Sequence, residues 1–218
     1  MTVNIRYLGH SSFQIKTEKL VIYIDLRKYG GVVETTEKAD IVLVTHNHAD
    51  HFSSEKVERV RKTGTVIIAP KNCASRIGGE INILKADEEL PVGNINVRAV
   101  EAYNIKRFKP SGKPWHPKGY GVGYLITVDG KTICHAGDTD FVPEMKELGH
   151  VDVALIPIGD KYTMDTSEAT KATTEIRPNV VIPMHCWDKN PKEFKKEVEK
   201  ASKAKVIVLE KGEEYQLD

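Results

Sequence analysis

Apolar residues in the first quarter of the chain come in short runs at 3–8, 12–16, 20–25 and 41–44, either alternating with polar ones or continuous. Side chains two positions apart share one face of a strand, so these runs predict strands, beginning as a meander. From Ser54 the spacing changes, because Val57 and Val60 stand three apart among Glu and Lys. This predicts a helix that Ser53 or Ser54 caps, with a strand after it at 65–69. A second strand-rich stretch covers 81–84, 95–100, 121–128 and 132–135, and Asp129-Gly130 between the last two is a strong hairpin signal. Strands at 153–157, 180–184 and 206–209 then alternate with helical segments near 167–175 and 192–203. The order β-rich, β/α, β-rich, β/α predicts an α/β fold of two sheets packed face to face with helices outside. Residues 104–119, rich in Lys, Pro and Gly, form the one loop long enough to look functional.

Composition narrows the partners more than it names them. A chain of 218 residues with 40% hydrophobic content supports one core, so 1–218 is expected to be a single domain. The 32 Lys and Arg nearly balance the 31 Asp and Glu, so no basic excess points to nucleic acid and composition names no partner; a small-molecule substrate is expected from the candidate site chemistry instead. No apolar run approaches the roughly 18 residues of a membrane span, so a cytoplasmic protein without membrane contact is expected; the sequence leaves open whether it is a homo-oligomer. Cys73, Cys134 and Cys186 form no CxxC pair and read as small buried hydrophobes.

The segment Val44-Thr45-His46-Asn47-His48-Ala49-Asp50-His51 changes the picture, because it holds three imidazoles and a carboxylate within six residues after an apolar strand. In an extended stretch His46 and His48 point to one side and can share a cation. If the chain then turns into the helix near Ser54, Asp50 and His51 can swing to a second ion. Imidazole and carboxylate without thiolate suit zinc, manganese or iron and argue against a closed structural zinc site. Asp138 and His185 lie far downstream, each where a strand ends and a loop residue can be aimed by a rigid sheet.

The pattern His46-x-His48-x-Asp50-His51, followed by Gly137-Asp138-Thr139 and the strand-terminal His185, resembles the metallo-β-lactamase superfamily across nearly the whole chain. Further stretches are similar to its branch of metal-dependent hydrolases related to ascorbate-phosphate lactonases. These are Gly9-His10-Ser11-Ser12-Phe13, 135–140, Pro157-Ile158-Gly159 with Tyr162-Thr163-Met164, and Pro183-Met184-His185. The resemblance implies a four-layer αβ/βα sandwich with the site at one rim. It implies two divalent ions, zinc before manganese or iron, with His46 and His48 on the first, Asp50, His51 and His185 on the second, and Asp138 bridging. For the third ligand of the first ion, His116 in His116-Pro117-Lys118-Gly119 is favoured. The alternative is Asn104 in Ala102-Tyr103-Asn104, where relatives in this branch often carry histidine.

Metal of this kind makes hydroxide available near neutral pH, so the expected function is hydrolysis of an ester, lactone or phosphodiester of a small, anionic metabolite. Asp50 is expected to be catalytic, both ligating a metal and orienting the hydroxide. The alternatives are a nuclease, disfavoured by the charge balance, and a non-catalytic metal-binding module. His10 reads equally as a support for a ligand or as a turn residue, His135 as a packed structural group, and His150 as an exposed cap. Lys106, Arg107, Lys109, Lys113 and Lys118 suit an anionic substrate or a solvated loop, and Lys161 and Tyr162 could add an anion contact.

Overall fold

The structure is a computed structural model that describes residues 2–29 and 33–218. These group into two compact units, one running to Leu84 and including Leu209–Asp218, the other Lys85–Val208. In chain order the first strands are β1 (Val3–Gly9), β2 (Ser12–Lys16), β3 (Val21–Ile24), β4 (Ile41–Leu43), β5 (Val66–Ala69) and β6 (Asn82–Ile83). Helices α1 (Ser54–Val60) and α2 (Lys71–Ala74) fall between them. The second unit holds β7 (Glu89–Val92), β8 (Ile95–Ala102), β9 (Gly121–Val128), β10 (Lys131–His135), β11 (Val153–Pro157), β12 (Val180–Met184) and β13 (Lys205–Val206). It also holds helices α3 (Thr166–Ile176) and α4 (Pro191–Ala201), and a 3₁₀ turn at Pro143–Glu147. Strand β14 (Glu214–Leu217) returns to the first unit.

Each unit is built on one mixed seven-stranded sheet, ordered β14-β1-β2-β3-β4-β5-β6 in the first and β13-β12-β11-β10-β9-β8-β7 in the second. Strands β1 to β3 pair antiparallel, as a meander should, whereas β3, β4, β5 and β6 run parallel. The Asp129-Gly130 hairpin forms with Val128 opposite Lys131, and both turn residues have positive φ, 49° and 77°, the backbone that a two-residue turn between twisted strands requires.

The amphipathic patterns bury where they point. In the first unit Val57 and Val60 of α1 pack with Tyr23, Val42, Val44, Phe52 and Ile67. The Ser53 hydroxyl accepts from the Lys56 backbone N–H, so Ser53 is the residue that caps α1. In the second unit α3 and α4 contribute Ala169, Ala172, Ile176, Phe194 and Val198 to a core that includes Ala154, Ile156 and Val181. Asp165 opens α3 with a capping box to Glu168. The three cysteines are free thiols, and burial pushes each up to about 12, so none is a reactive thiolate near neutral pH. Among the described residues no helix is long and apolar enough to cross a membrane.

Candidate metal-ligating residues

In the first unit the histidine-rich segment leaves β4 and turns back on itself. The backbone N–H groups of His51 and Phe52 both donate to the His48 carbonyl, at 3.0 and 2.8 Å. This tight turn brings His46 Nε2 to 3.1 Å from His48 Nδ1 and the His46 and His51 rings to 4.1 Å between centroids. His46 and His51 are fully buried, while His48 and Asp50 are partly exposed. Asp50 Oδ2 lies 3.3 Å from His10 Nε2.

Behind these side chains stands Asp25, fully buried at the end of β3. It accepts from His51 Nδ1 at 2.7 Å, from the Thr45 backbone N–H at 2.8 Å and from the Thr45 hydroxyl at 2.7 Å. Because the Thr45 hydroxyl donates to Asp25, its lone pairs face His46 Nδ1, 3.0 Å away. The Nδ1 protons of His46 and His51 are thereby held by oxygen, which fixes the tautomer that presents Nε2 as an electron pair. The Gly9-His10-Ser11-Ser12-Phe13 motif supports this arrangement from both sides. His10 takes a left-handed backbone (φ 60°) at the β1–β2 turn and reaches Asp50, and Ser12 Oγ donates to the Asp25 carbonyl. His10 is thus both turn residue and support.

In the second unit two histidines from distant parts of the sequence converge on one carboxylate oxygen. Asp138 Oδ2 lies 3.5 Å from His116 Nε2 and 3.2 Å from His185 Nε2, and all three side chains are at least 97% buried. Asn104 stands beside His116, accepting from its Nδ1 at 2.9 Å and from its backbone N–H at 2.8 Å. The Asn104 amide is oriented in turn, since Nδ2 donates to Asp140 Oδ1 at 3.1 Å and to the Tyr162 carbonyl at 2.9 Å. Its oxygen serves the imidazole, so Asn104 orients His116 by the same logic that Asp25 applies to His51.

Of the other histidines, His135 is fully buried and its Nδ1 accepts from the Gly137 N–H at 3.2 Å, a packed structural group. His150 is 71% exposed after Gly149, beside Asp152. The basic loop is largely spent on protein carboxylates. Arg107, only 11% exposed, contacts Asp140, Asp160, Asp165 and Glu168. Lys106 pairs with Glu168, and Lys118 pairs with Glu144 and Glu101. Asp140 also accepts from the Ile105 and Lys106 backbone N–H groups at 2.7 and 2.6 Å, which pins the loop that carries Asn104.

Asp25 and Asn104 as supports, and the Arg107 network, are absent from the sequence reading. Asp25 carried a usable signal, an acid closing the apolar run Val21-Ile22-Tyr23-Ile24 just as Asp138 follows one. Arg107 carried none, because its partners are scattered over 140–168.

Comparison with known proteins places the chain. The β-lactamase superfamily domain matches residues 4–185. Over 227 residues the chain is 34% identical to a UPF0173 metal-dependent hydrolase of Thermococcus kodakarensis, covering 99% of this chain and 100% of that one. It is 35% identical to a UPF0173 metal-dependent hydrolase of Pyrococcus abyssi, with 99% and 100% covered. The solved structure of Igni18, a metallo hydrolase from Ignicoccus hospitalis, superposes with a TM-score of 0.81 at 30% identity, covering 100% of this chain and 99% of that one. The chain has the metallo-β-lactamase fold and belongs to the β-lactamase superfamily, within its family of UPF0173 metal-dependent hydrolases.

Proposed function

We propose that the chain hydrolyses an ester, lactone or phosphodiester of a small metabolite with the help of two divalent ions, zinc first. The donor chemistry of each unit fits such ions. Two ligands about 2.0–2.1 Å from a tetrahedral zinc stand roughly 3.3 Å apart. The contacts of His46 with His48, at 3.1 Å, and of Asp138 with His116 and His185, at 3.5 and 3.2 Å, lie near that spacing. The observation that carries the reading is the set of oxygens behind the imidazoles: Asp25, Thr45 and Asn104 each face an Nδ1 and leave Nε2 outward, an arrangement typical of metal-ligating histidines.

On this reading His46, His48, Asp50 and His51 of the first unit and His116, Asp138 and His185 of the second would hold the ions. Bound there, divalent ions supply activated water at neutral pH and Lewis-acid polarisation of a carbonyl or phosphoryl oxygen. The chain's residues do the rest. Asp50 accepts a proton or orients the attacking water, and His10, 3.3 Å from Asp50 Oδ2, fixes that carboxylate. Asp25 and Asn104 keep the imidazoles in the ligating tautomer.

The test is elemental mass spectrometry on purified wild type and His116→Ala, together with hydrolysis of bis-p-nitrophenyl phosphate and of a simple lactone. The expected result is about two ions per chain in wild type, with the variant losing about one along with its activity. A wild type that retains no metal after supplementation and hydrolyses neither compound would overturn the reading.

A further inference from the structure

Two of the most exposed large apolar side chains of the second unit, Trp187 at 53% and Phe108 at 51%, belong to segments that carry ligand candidates: Trp187 follows His185 by two residues, and Phe108 lies in the 104–119 loop with His116. Trp187 is the more telling. Its ring stands 5.7 Å from the His185 ring and 5.9 Å from Tyr162, which in turn stands 4.7 Å from Trp115, each pair edge to face.

The backbone is shaped to hold this row. His185 and Trp187 both take left-handed φ, 51° and 49°, a conformation that costs an L side chain steric energy. Gly159 permits it, since a Cβ there would stand 2.2 Å from the His185 carbonyl oxygen and 2.6 Å from Trp187 Cδ1. Lys109 lies 5.4 Å over Trp115 and Lys161 5.3 Å over Tyr162. Lys106, Arg107 and Lys118 are paired with carboxylates, and beside His185 the indole of Trp187 is 53% exposed.

We propose that Trp187, backed by Tyr162 and Trp115, is a substrate subsite that stacks a planar aromatic group next to the reacting bond, so that the hydrolysed metabolite is an aryl-bearing ester or lactone. The inference rests on the hydrolase reading for its substrate, but binding at the subsite does not require metal. Trp115 and Trp187 are the only two tryptophans of the chain, so intrinsic fluorescence reports on the subsite directly.

Metal-free protein is titrated with 3-phenylpropionate and with 3-cyclohexylpropionate, which match in charge and bulk and differ in the aromatic face. Ligand-observed NMR follows the same binding in Trp187→Phe and Trp187→Leu. The phenyl compound is expected to bind about three- to tenfold more tightly and to shift tryptophan emission. Trp187→Phe should keep the preference and Trp187→Leu should erase it. In metal-loaded protein the ratio of kcat/KM for methyl 3-phenylpropionate over its cyclohexyl analogue should follow the same pattern. Equal binding of the two acids by wild type, or a preference that survives in Trp187→Leu, overturns the subsite. If the aryl preference holds in binding while neither ester is cleaved, the subsite stands and the hydrolase reading fails; if both esters are cleaved equally without a binding preference, the reverse is true.

Discussion

The two units solve one problem, aiming imidazole nitrogens, with different chemistry. In the first, His46, His48, Asp50 and His51 come from a single turn, and the group behind them is a carboxylate, Asp25. In the second, His116, Asp138 and His185 come from three distant segments, and the group behind His116 is an amide, Asn104. The difference follows from the neighbours. Among the described residues Asp25 Oδ1 and Oδ2 meet donors, in Thr45 and His51, so a carboxylate satisfies them all. Asn104 meets donors at one end, from His116, and acceptors at the other, the Asp140 carboxylate and the Tyr162 carbonyl. Only a group that accepts and donates fits there. A support is therefore chosen by the polarity around it as much as by the imidazole in front of it, and a charged support also raises the basicity of its imidazole whereas a neutral one mainly orients it.

The sharpest way to break this contrast is Asp25→Ala. It strips an acceptor from three buried donors, so stability should fall by about 3 kcal/mol or more, and metal affinity by about 10- to 100-fold. Urea unfolding and metal titration measure the two. Asp25→Asn, which tolerates the left-handed backbone at φ 53°, should recover part of the stability and less of the affinity.

Asn104→Asp tests the other side. If only the acceptor for His116 mattered, it would be harmless or would strengthen the site; because it puts a second carboxylate against Asp140, it should cost about 2 kcal/mol. Asn104→Ala removes the acceptor without adding charge and, with His116 a ligand as proposed, should lower metal affinity about tenfold. Finding Asn104→Asp at least as stable as wild type would refute the account of the amide.

His10→Ala should act on catalysis more than on stability, since it touches Asp50 from a partly exposed turn. A several-fold drop in kcat with a melting temperature within a few degrees of wild type is expected.

The smallest effect is acidic. Hydrogen bonding to Lys189, and then the nearby Arg107, hold the Asp160 carboxyl below its ordinary 3.8. A depressed carboxylate adds stability above the unfolded value and loses it as pH falls from there through the folded value. Wild type should therefore exceed Asp160→Asn by a small, constant margin above pH 5, and the margin should shrink as pH falls below about 4; urea midpoints across that range would check it.

Much of this was legible in the sequence. Strands 12–16, 121–128, 153–157 and 180–184 are predicted to the residue, because each is apolar enough to be buried on both faces or ends at an unambiguous turn. Strands β7 and β14 were not, since Glu89-Leu90-Pro91-Val92 and Glu214-Tyr215-Gln216-Leu217 are edge strands with little burial to impose a period. The predicted strand at 206–209 shrinks to Lys205–Val206, where pairing with β12 ends. Within the site the dense His46–His51 cluster announces itself, whereas the pairings of Asp25 with His51 and of Asn104 with His116 depend on contacts 26 and 12 residues apart that no local spacing encodes.

Strand β14 carries a consequence for biogenesis. It pairs with β1 at Val3 to Arg6, so the first unit's sheet is closed at one edge by residues made about 130 positions after β6. At roughly 5–20 residues per second of translation, that edge of β1 stays bare on the ribosome for roughly 7–26 s after β6 has been made. A nascent chain in this state is the form most exposed to chaperones and to edge-to-edge aggregation, and residues 214–217 act as the latch that ends the exposure.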